Sequence, residues 1–494
     1  MSTRARPART GLIQSFQPVV HVIGRLTAAL GVSMLIPALL AFSDGDPGWS
    51  GFLIAALISL CAGAALAIIT VRDRPAGLNR QQAVLLTVLV WVALPIFGAL
   101  PFVLSAPYAG YTNAFFEAMS GLTTTGATVF SDLAEAPRGM LLWRAMLQWF
   151  GGVGIVVVAM VFLPTLKIGG MQFFRSESFD LIGDILPRAA EAAGQISGVY
   201  VGLTVACVMA YAAAGMSTFD AICHAMTTIS TGGLGNYDDS FASFPAMAQY
   251  AAVVFMALAA MPFLRLMQVT RGQTLPLWRD AQVRGFLGII AVVGAMLALW
   301  QILVSEEAIE PAIRAALFNT TAILTGTGYA SDDFSAWGGF PMALFFILAL
   351  IGGCAGSTSC SAKVFRYQIL IAALRIQLRR IHAPHGVHPL RYAGRPVEAE
   401  VLSSVMGFFF IFAASLATWA AMLSLTGLDT VTSISGAVAA LANVGPGLGD
   451  TIGPAGNYQS LPDSAKWILA MGMLLGRLEF MSVLVLLAPA FWAR

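Results

Sequence analysis

Long apolar stretches alternate with short polar connections along almost the whole chain. The segments GFLIAALISLCAGAALAIIT (51–70) and AVLLTVLVWVALPIFGALPFVLS (83–105) each match the roughly 20 apolar residues that a helix needs to cross a bilayer. The pattern predicts an all-α membrane protein with ten transmembrane helices. Their approximate bounds are 19–42, 51–70, 83–106, 140–164, 194–216, 245–268, 285–304, 339–361, 399–424 and 466–490.

Four connections between these spans each carry a short apolar segment followed by a turn rich in glycine and small polar residues. The segments are AFFEAMSGLTTTGATVFSD (114–132), FDAICHAMTTISTGGLGNYDD (219–239), AALFNTTAILTGTGYASDD (315–333) and ISGAVAALANVGPGLGD (434–450). They align on Gly126, Gly233, Gly328 and Gly445. Such an internal repeat indicates that one unit of span, half-helix, polar turn and span is used four times.

Each segment before a turn has about ten helix-compatible residues, too few to cross a bilayer but suitable for a re-entrant half-helix. Non-helical backbone cannot face lipid, because its unpaired N–H and C=O groups would be costly, so the turns are expected to line a wet cavity. Four converging turns would form rings of carbonyl oxygens, which can replace the hydration shell of a cation. The negative ends of the half-helix dipoles would favour the same cation.

The residues predicted to bind a monovalent cation, mainly through backbone carbonyls, therefore belong to the four turns. They are Thr124, Thr125, Gly126, Thr231, Gly232, Gly233, Gly326, Thr327, Gly328, Asn443, Val444 and Gly445. Glycine permits the backbone angles that turn carbonyls inward. The alternative is that these glycines only pack helices closely, as GxxxG motifs do.

Acidic residues follow each of the four glycines closely. They are Asp132, Asp238, Asp239, Asp332, Asp333 and Asp450. At an outer mouth these side chains would concentrate cations, and this is the predicted role. The alternative is that they are ordinary solvated loop residues.

Composition and charge place the chain in a membrane. The sequence is 58% hydrophobic and 11% charged, whereas soluble proteins carry roughly 25% charged residues. Basic residues cluster at 4–9, 72–80, 167–188, 265–284 and 363–395, and the positive-inside rule places these clusters and both termini in the cytoplasm. The five cysteines form no CxxC motif and are interpreted as small buried apolar residues.

Two polar features interrupt the predicted spans. IGGCAGSTSCSAK (351–363) should unwind within the eighth span, and its Gly352, Gly353, Gly356, Ser357 and Thr358 are candidate gating residues. The alternative is a loosely packed helix end. Arg477 lies near the middle of the last span, where a charge is a functional hypothesis by default. Glu479 can pair with Arg477 only indirectly, because residues i and i+2 point to different faces of a helix. Arg477 is alternatively a tie between helices through carbonyl groups.

With these residues in view, the chain resembles the Trk/Ktr/HKT superfamily of potassium transporters, and most closely its bacterial TrkH type. The resemblance covers nearly the whole chain and is carried by seven motifs. They are TTTGAT, STGG, TGTGY, NVGPGLGD, WFGGVGI (149–155), IGGCAGST (351–358) and GRLEFMSVLVL (476–486).

The resemblance implies an architecture of four M1–pore helix–filter–M2 repeats in pseudo-fourfold arrangement, preceded by a helical hairpin. The expected divisions are the hairpin 1–82 and the repeats 83–190, 191–283, 284–398 and 399–494. It also implies a homodimer in the bacterial inner membrane, gated by a cytosolic TrkA-like ring of RCK subunits. A nucleotide, ATP/ADP or NAD, is expected only on those partner subunits.

The resemblance further implies selectivity for potassium, the transported substrate. Members with serine at the first filter position often pass sodium, whereas this chain has glycine at all four. The loop at 351–363 would block flow beneath the filter, and Arg477 would be an electrostatic barrier to cations. Where the family commonly continues with glycine, this chain has Ser359, Cys360, Ser361 and Ala362, which predicts a stiffer loop.

The sequence thus predicts gated, channel-like potassium uptake. The alternatives are a sodium-selective or ion-coupled (Na⁺ or H⁺) transporter of the same superfamily and, from another class, a non-conducting scaffold or enzyme. Enzyme activity is not expected, because no triad, paired intramembrane acids or redox motif occurs, and no nucleic-acid partner is expected. GPGLGD (445–450) and GGCAGSTS (352–359) are not nucleotide loops, since neither follows a strand or contains GK[ST]. HAPHGVH (382–388) is interpreted as a docking surface for the cytosolic partner.

Overall fold

The computed structural model describes residues 12–70, 79–105, 107–161, 187–386 and 388–492. Over these residues the chain is almost entirely helical, with one small antiparallel hairpin formed by Arg391–Tyr392 and Arg395–Pro396. The predicted basic cluster at 4–9 and most of the clusters at 72–80 and 167–188 lie outside the described residues. The expectation of a helical protein is confirmed.

The four glycine turns divide the helices into groups along the chain. Before the first glycine turn they are Leu12–Ser33, Leu35–Ser43, Trp49–Ile69, Arg80–Gly98, Leu100–Leu104 and Tyr111–Leu122. Between the first and second turns they are the 3₁₀ turn Leu133–Glu135, Arg138–Val161, Pro187–Ala213 and Thr218–Ile229. Between the second and third turns they are Ala246–Ala259, Phe263–Thr270, Leu275–Arg279, Ala281–Leu303 and Ile309–Thr325.

The remaining helices surround and follow the fourth turn. Between the third and fourth turns they are the 3₁₀ turn Phe334–Trp337, Gly339–Ile351, Val364–His382, Ala399–Ser424 and Thr430–Ala442. After the fourth turn they are Gly449–Ile452, Asp463–Arg477, Met481–Leu484, the 3₁₀ turn Val485–Leu487 and Pro489–Trp492.

Fewer helices than the ten predicted are long and apolar enough to cross a membrane. Among the described residues there are six, or seven if the pair Ala246–Ala259 and Phe263–Thr270 is one span broken by a 104° bend. The six are Phe16–Ser43, Trp49–Ile69, Gln81–Leu104, Ala193–Ala213, Ala281–Leu303 and Ala399–Ser424. The predicted span 339–361 is helical only over Gly339–Ile351. The predicted span 466–490 likewise contains a helix that ends at Arg477.

The outward faces of the spans are apolar, which is the reverse of a soluble protein. Leu39, Ile69 and Phe410 are 69%, 76% and 75% exposed, and each lies on a helix that is long enough to span. Polar and charged side chains are instead found inside, where they bond to one another and to the backbone. This distribution suits a lipid solvent, since an exposed apolar surface of this extent has no place in water.

Four short helices occupy the interior, and they are named here half-helix 1 (Tyr111–Leu122), half-helix 2 (Thr218–Ile229), half-helix 3 (Ile309–Thr325) and half-helix 4 (Thr430–Ala442). Two of them begin with a side-chain cap, since Ser217 accepts a hydrogen bond from Asp220 N and Asp429 accepts one from Thr432 N. The hydrogen bonds that Asp429 accepts from Thr432 also lower the pKa of the Asp429 carboxyl.

Each half-helix stops at a residue with left-handed backbone angles. Thr124, Thr231, Gly326 and Asn443 have φ values of 50°, 50°, 75° and 52°. For the two β-branched threonines this conformation is a genuine outlier, which the surrounding structure must hold in place. All four chain reversals therefore occur at equivalent positions, two residues before the aligned glycines.

Candidate functional site

The four glycine turns meet one another in cyclic order, and together they are called the glycine ring (Thr124–Gly126, Thr231–Gly233, Gly326–Gly328 and Asn443–Gly445). The distance between neighbouring turns can be judged from the position that a Cβ atom would occupy if it were added to each glycine. At Gly126 that atom would lie 2.1 Å from Gly232 O, and at Gly233 it would lie 1.8 Å from Thr327 O. Neighbouring turns are therefore in direct backbone contact.

The remaining two contacts close the ring. A Cβ atom on Gly328 would lie 1.8 Å from Val444 O, and one on Gly445 would lie 2.7 Å from Thr125 O. In every case the nearest neighbour is the carbonyl of the residue that precedes the next aligned glycine. Four equivalent carbonyl oxygens, those of Thr125, Gly232, Thr327 and Val444, thus each lie against the glycine of a neighbouring turn, and the contacts form a closed cycle.

Only glycine suits the four aligned positions, because there is no room for a side chain and because the backbone φ is positive. The φ values of Gly126, Gly233, Gly328 and Gly445 are 87°, 80°, 76° and 94°, a region that other residues rarely adopt. A side chain at any of them would also collide with a backbone carbonyl, which cannot rotate away as a side chain can. The alternative that these glycines only pack helices does not account for both requirements at once.

Side chains from neighbouring segments brace the ring from behind. Asn443 donates from Nδ2 to Thr125 Oγ1 at 2.9 Å and to Met473 O at 2.9 Å, which ties the fourth turn to the first. Tyr458 donates its hydroxyl to Gly445 O at 2.7 Å. Tyr329 follows the third turn directly, and its hydroxyl lies 2.5 Å from the hydroxyl of Thr227 on half-helix 2.

Gln148 braces the second turn from the helix Arg138–Val161. Its Nε2 donates to Gly232 O at 2.6 Å, and its Oε1 accepts from Leu234 N at 3.1 Å. The side chain is fully buried. Both ends of one amide group therefore hold the backbone on either side of Gly233.

A buried ion pair fixes the segments that follow the first two turns. Arg144 Nε lies 2.7 Å from Glu117 Oε1, and both side chains are almost completely buried. The Arg144 guanidinium also donates to Gly235 O at 2.8 Å and to Thr128 Oγ1 at 3.0 Å. Glu117 Oε2 accepts from Val129 N at 3.0 Å. Each guanidinium nitrogen of Arg144 and each carboxylate oxygen of Glu117 thus has a partner, and hydrogen bonds of this kind help a buried pair to be tolerated.

A cavity that is open to solvent lies on one side of the ring, next to the residues that follow the four glycines in the chain. Its lining includes all four aligned glycines together with Arg144, Asp238 and Tyr458. Of the six predicted outer-mouth acids, Asp238 is the one in this lining. Its carboxylate also accepts from Leu133 N at 3.0 Å.

The other predicted acids make local contacts that organise their loops. Asp332 accepts from Trp337 Nε1 at 2.8 Å, and Asp333 accepts from Ser335 N at 3.0 Å. Asp132 accepts from Ser131 Oγ at 3.2 Å, and Asp239 accepts from Ser243 Oγ. Asp450 lies in the first turn of the short helix Gly449–Ile452. These contacts are those of ordinary loop residues, the alternative interpretation of the acids.

The interrupted segment 352–363 is buried on the opposite side of the ring from the cavity. A Cβ atom on Gly326, which precedes its aligned glycine, would lie 3.9 Å from Cys360 N. The loop also fills the 104° bend between Ala246–Ala259 and Phe263–Thr270, where Cys354 N donates to Ala260 O at 3.0 Å. The expected break in the eighth span is thus present and is packed against two neighbouring segments.

The five candidate gating residues all lie within this buried loop. Thr358 Oγ1 donates to Ala259 O at 3.0 Å, and Ser357 Oγ donates to Cys354 O at 2.7 Å. Gly353 N donates to Ser359 Oγ at 2.9 Å, so one of the serines that replace the expected glycines holds the loop internally. Gly352 and Gly356 have φ values of 80° and 74°, which suit the sharp changes of direction there.

Arg477 contacts two other segments at once, the loop and the helix Arg138–Val161. Its guanidinium donates to Thr358 O in the loop at 3.2 Å and to Gly151 O at 3.2 Å, and it also contacts Cys360 Sγ. The side chain is 1% exposed. These bonds to carbonyls match the interpretation of Arg477 as a tie between segments, and the proximity of the loop keeps the barrier interpretation open.

Glu479 does not pair with Arg477 in the part of the chain that the structure describes. Its carboxylate instead binds Lys363 Nζ at 2.8 Å and Arg366 NH2 at 2.6 Å, and all three side chains are buried. Three cations and one carboxylate therefore surround the end of the loop. The excess of positive charge lies on the side of the ring away from the cavity.

The described residues hold no group of three or more His, Cys, Asp or Glu side chains that would bind a metal ion. All five cysteines are free, and four are buried, whereas Cys61 is exposed. The backbone carbonyls of the glycine ring are neutral oxygen atoms, a type of ligand that can replace the water around a monovalent cation.

Several residues of the site were missed from the sequence. Arg144 and Gln148 lie inside the predicted span 140–164, where any charged or amide side chain is a functional candidate, so a signal for them was present. Tyr329 and Tyr458 gave no such signal, because a tyrosine beside a turn is ordinary. Their roles depend on which segments meet in three dimensions.

The apolar helices define a multi-pass helical membrane protein, and four glycine turns are in backbone contact in its interior. A family model described as "TrkH: Cation transport protein" matches residues 50–493. The chain belongs to the TrkH family, as the sequence motifs predicted.

The relatives agree with this assignment over their full length. The chain is 41% identical to "Trk system potassium uptake protein TrkI" of Halomonas elongata, with 98% of each chain covered. It is 36% identical to "Trk system potassium uptake protein TrkH" of Escherichia coli K12, covering 97% of this chain and 99% of the other. These relatives are named as uptake proteins and not as enzymes.

A solved structure shares the fold. It is described as the crystal structure of the potassium transporter TrkH from Vibrio parahaemolyticus, and it matches with a TM-score of 0.89. The identity is 34%, and the match covers 98% of this chain and 100% of the other.

Glu117→Gln should lower the free energy of unfolding by about 3–5 kcal/mol, because it leaves the buried Arg144 charge without its partner. The measurement is chemical unfolding in detergent, followed by tryptophan fluorescence. The control is Arg138→Ala, which removes the exposed pair with Asp44 and should cost no more than about 1 kcal/mol. If the two substitutions lowered the free energy of unfolding equally, the buried pair would not stabilise the protein more than the exposed pair, and the prediction would be wrong.

Proposed function

We propose that this chain takes up potassium across the bacterial inner membrane through the glycine ring, which acts as a channel-like selectivity filter. The observation that carries the proposal is the cyclic contact of the four turns. In this cycle each of the equivalent carbonyl oxygens, those of Thr125, Gly232, Thr327 and Val444, lies against the glycine of a neighbouring turn. Carbonyl oxygens in this arrangement replace the water ligands of a cation. The names of the relatives, which are potassium uptake proteins, support potassium as the ion.

The architecture proposed with this function has ten membrane segments, both termini in the cytoplasm, and four repeats preceded by a hairpin, with the divisions given by the sequence. The cyclic order of the four turns supports the pseudo-fourfold arrangement. The segments that are too short or bent to cross as single helices, such as Gly339–Ile351, complete their crossing through the loops that follow them. The all-glycine ring favours potassium over sodium.

The loop at 351–363 is proposed as the gate, with Gly352, Gly353, Gly356, Ser357 and Thr358 as its moving part. Its burial directly beneath the third turn supports this role. Arg477 holds the loop through Thr358 O and places a positive charge near the path of the ion. A charge there raises the barrier for a cation, because little water is present to screen it.

The proposed assembly is a homodimer regulated by a cytosolic TrkA-type RCK ring, which would bind the regulating nucleotide, ATP/ADP or NAD. The exposed basic residues Arg375, Arg379 and Arg380 on the helix Val364–His382 are available for such a partner.

The test of the function is ion flux into proteoliposomes that contain the purified protein, with and without its cytosolic partner. Uptake of rubidium or potassium down its gradient, with sodium excluded, is the expected result. Uptake that requires a sodium or proton gradient would support an ion-coupled relative instead. Absence of any flux, with failure to rescue an uptake-deficient bacterium, would support a non-conducting scaffold.

Gly126→Ser should lower the selectivity for rubidium over sodium by roughly tenfold, or about 1.4 kcal/mol. The serine Cβ would strike Gly232 O, so the first or second turn must move. The matched control is Gly215→Ser. Gly215 has a similar φ of 98° but lies outside the ring, with only Pro245 Cγ at 3.8 Å. An unchanged selectivity in Gly126→Ser would show that this turn is not part of the filter.

Arg477→Ala should raise flux in the absence of the cytosolic partner several-fold, because it removes both the charge and the hold on the loop. Arg314→Ala serves as the control, since Arg314 pairs with Glu310 at a partly exposed site away from the ring. If the substitution lowers only stability and leaves flux per folded protein unchanged, Arg477 is a structural tie and not part of the gate.

A further inference from the structure

The four equivalent carbonyls of the glycine ring do not have the same surroundings. Within the described chain, Gly232 O accepts a hydrogen bond from Gln148 Nε2, whereas no protein donor reaches the corresponding oxygens of Thr125, Thr327 and Val444. Three carbonyls are therefore free to turn towards an ion, and one is already held. This difference between the turns is built into the protein by a single side chain.

The second turn is the one in most need of such support. At the position before the aligned glycine, the other turns carry Thr125, Thr327 and Val444, whose side chains restrict the backbone, but the second turn carries Gly232. Two consecutive glycines make the most mobile backbone in the ring. Without another constraint this turn would vary in position more than its neighbours.

The glycine at 232 and the amide at 148 fit each other. A Cβ atom on Gly232 would lie 2.4 Å from the side-chain carbon Cδ of Gln148, so the absence of a side chain there makes room for the amide. The amide orientation is fixed by its partners, because Nε2 faces a carbonyl and Oε1 faces an N–H. A flipped amide would lose both bonds.

We propose that Gln148 is a positioning residue for ion selectivity, which holds the Gly232 carbonyl and so prevents the ring from contracting around an ion smaller than potassium. The proposal rests on the function proposed above. A carbonyl that is free to turn can follow a small ion inward, whereas one bonded to a buried amide must first give up that bond. The bridge to Leu234 N on the far side of Gly233 resists the same movement.

The test compares Gln148→Met with the wild type in proteoliposomes, using the ratio of rubidium to sodium flux. Methionine keeps the length and approximate volume of glutamine but donates no hydrogen bond. The expected result is a fall of about fivefold in the ratio, which corresponds to the loss of one hydrogen bond. The ratio does not depend on how much protein is folded, so a merely structural role would not change it.

The matched control is Gln249→Met, the same substitution at a buried glutamine that binds Phe241 O and Phe244 O outside the ring. Its flux ratio should equal that of the wild type. A folded Gln148→Met protein with an unchanged ratio would overturn the proposal, and so would equal losses in the two variants. If Gln148→Met does not fold, Gln148→Asn replaces it, since its shorter amide cannot span both partners and an intermediate ratio is expected.

A flux ratio equal to that of the wild type in Gln148→Asn would overturn the proposal. Failure of both variants to fold would mark Gln148 as purely structural and would overturn the proposal as well.

The proposed function is tested separately. A wild-type protein that shows no preference for rubidium over sodium would refute the filter itself. A selective wild type with an unaffected Gln148→Met variant would refute only the role of Gln148.

Discussion

The direct contact of four backbone turns inside an apolar protein is the constraint on which the rest of the structure depends. The glycine of each turn lies so close to a carbonyl of the next turn that no Cβ atom fits between them. Non-helical backbone at this depth is tolerated only if its polar groups have partners or face water. The half-helices, the braces behind the turns and the cavity beside them all follow from this requirement.

The buried polar side chains are explained by the same constraint. Gln148, Asn443 and Tyr458 each donate to the backbone or side chains of a turn, and none of them would be stable in an apolar interior without such a partner. The Glu117–Arg144 pair fixes the segments that leave the first two turns. Side chains that are costly in a membrane are therefore concentrated where the backbone itself is polar.

The loop 352–363 and the segment that follows Arg477 are joined on the side of the ring opposite the cavity. The loop after Ile351 and the helix end at Arg477 both leave helical geometry, and Ser361, Lys363, Glu479 and Phe480 all have positive φ. Glu479 links the two segments through Lys363 and Arg366. Strained backbone of this kind persists only where its surroundings hold it, and it is concentrated at functional sites.

Much of the site followed from the sequence because it depends on local chemistry. The four glycines and the residues two before them, such as Asn443, were identified by their repetition, and the left-handed angles found there are a local property of turns. The role predicted for the acids after the glycines remains a prediction. The structure adds that Asp238 lines the cavity and that Asp333 accepts a hydrogen bond from Ser335 N within its own loop.

The sequence by itself determined the membrane solvent, the helical class, the positions of the turns and the family, since each depends on composition, periodicity or motifs that the chain carries locally. Only the tertiary structure decided which carbonyl meets which glycine, that Gln148 holds the second turn, and that Glu479 binds Lys363 and Arg366 rather than Arg477. Those pairings join residues far apart in the chain, and such contacts are set by how the helices pack together.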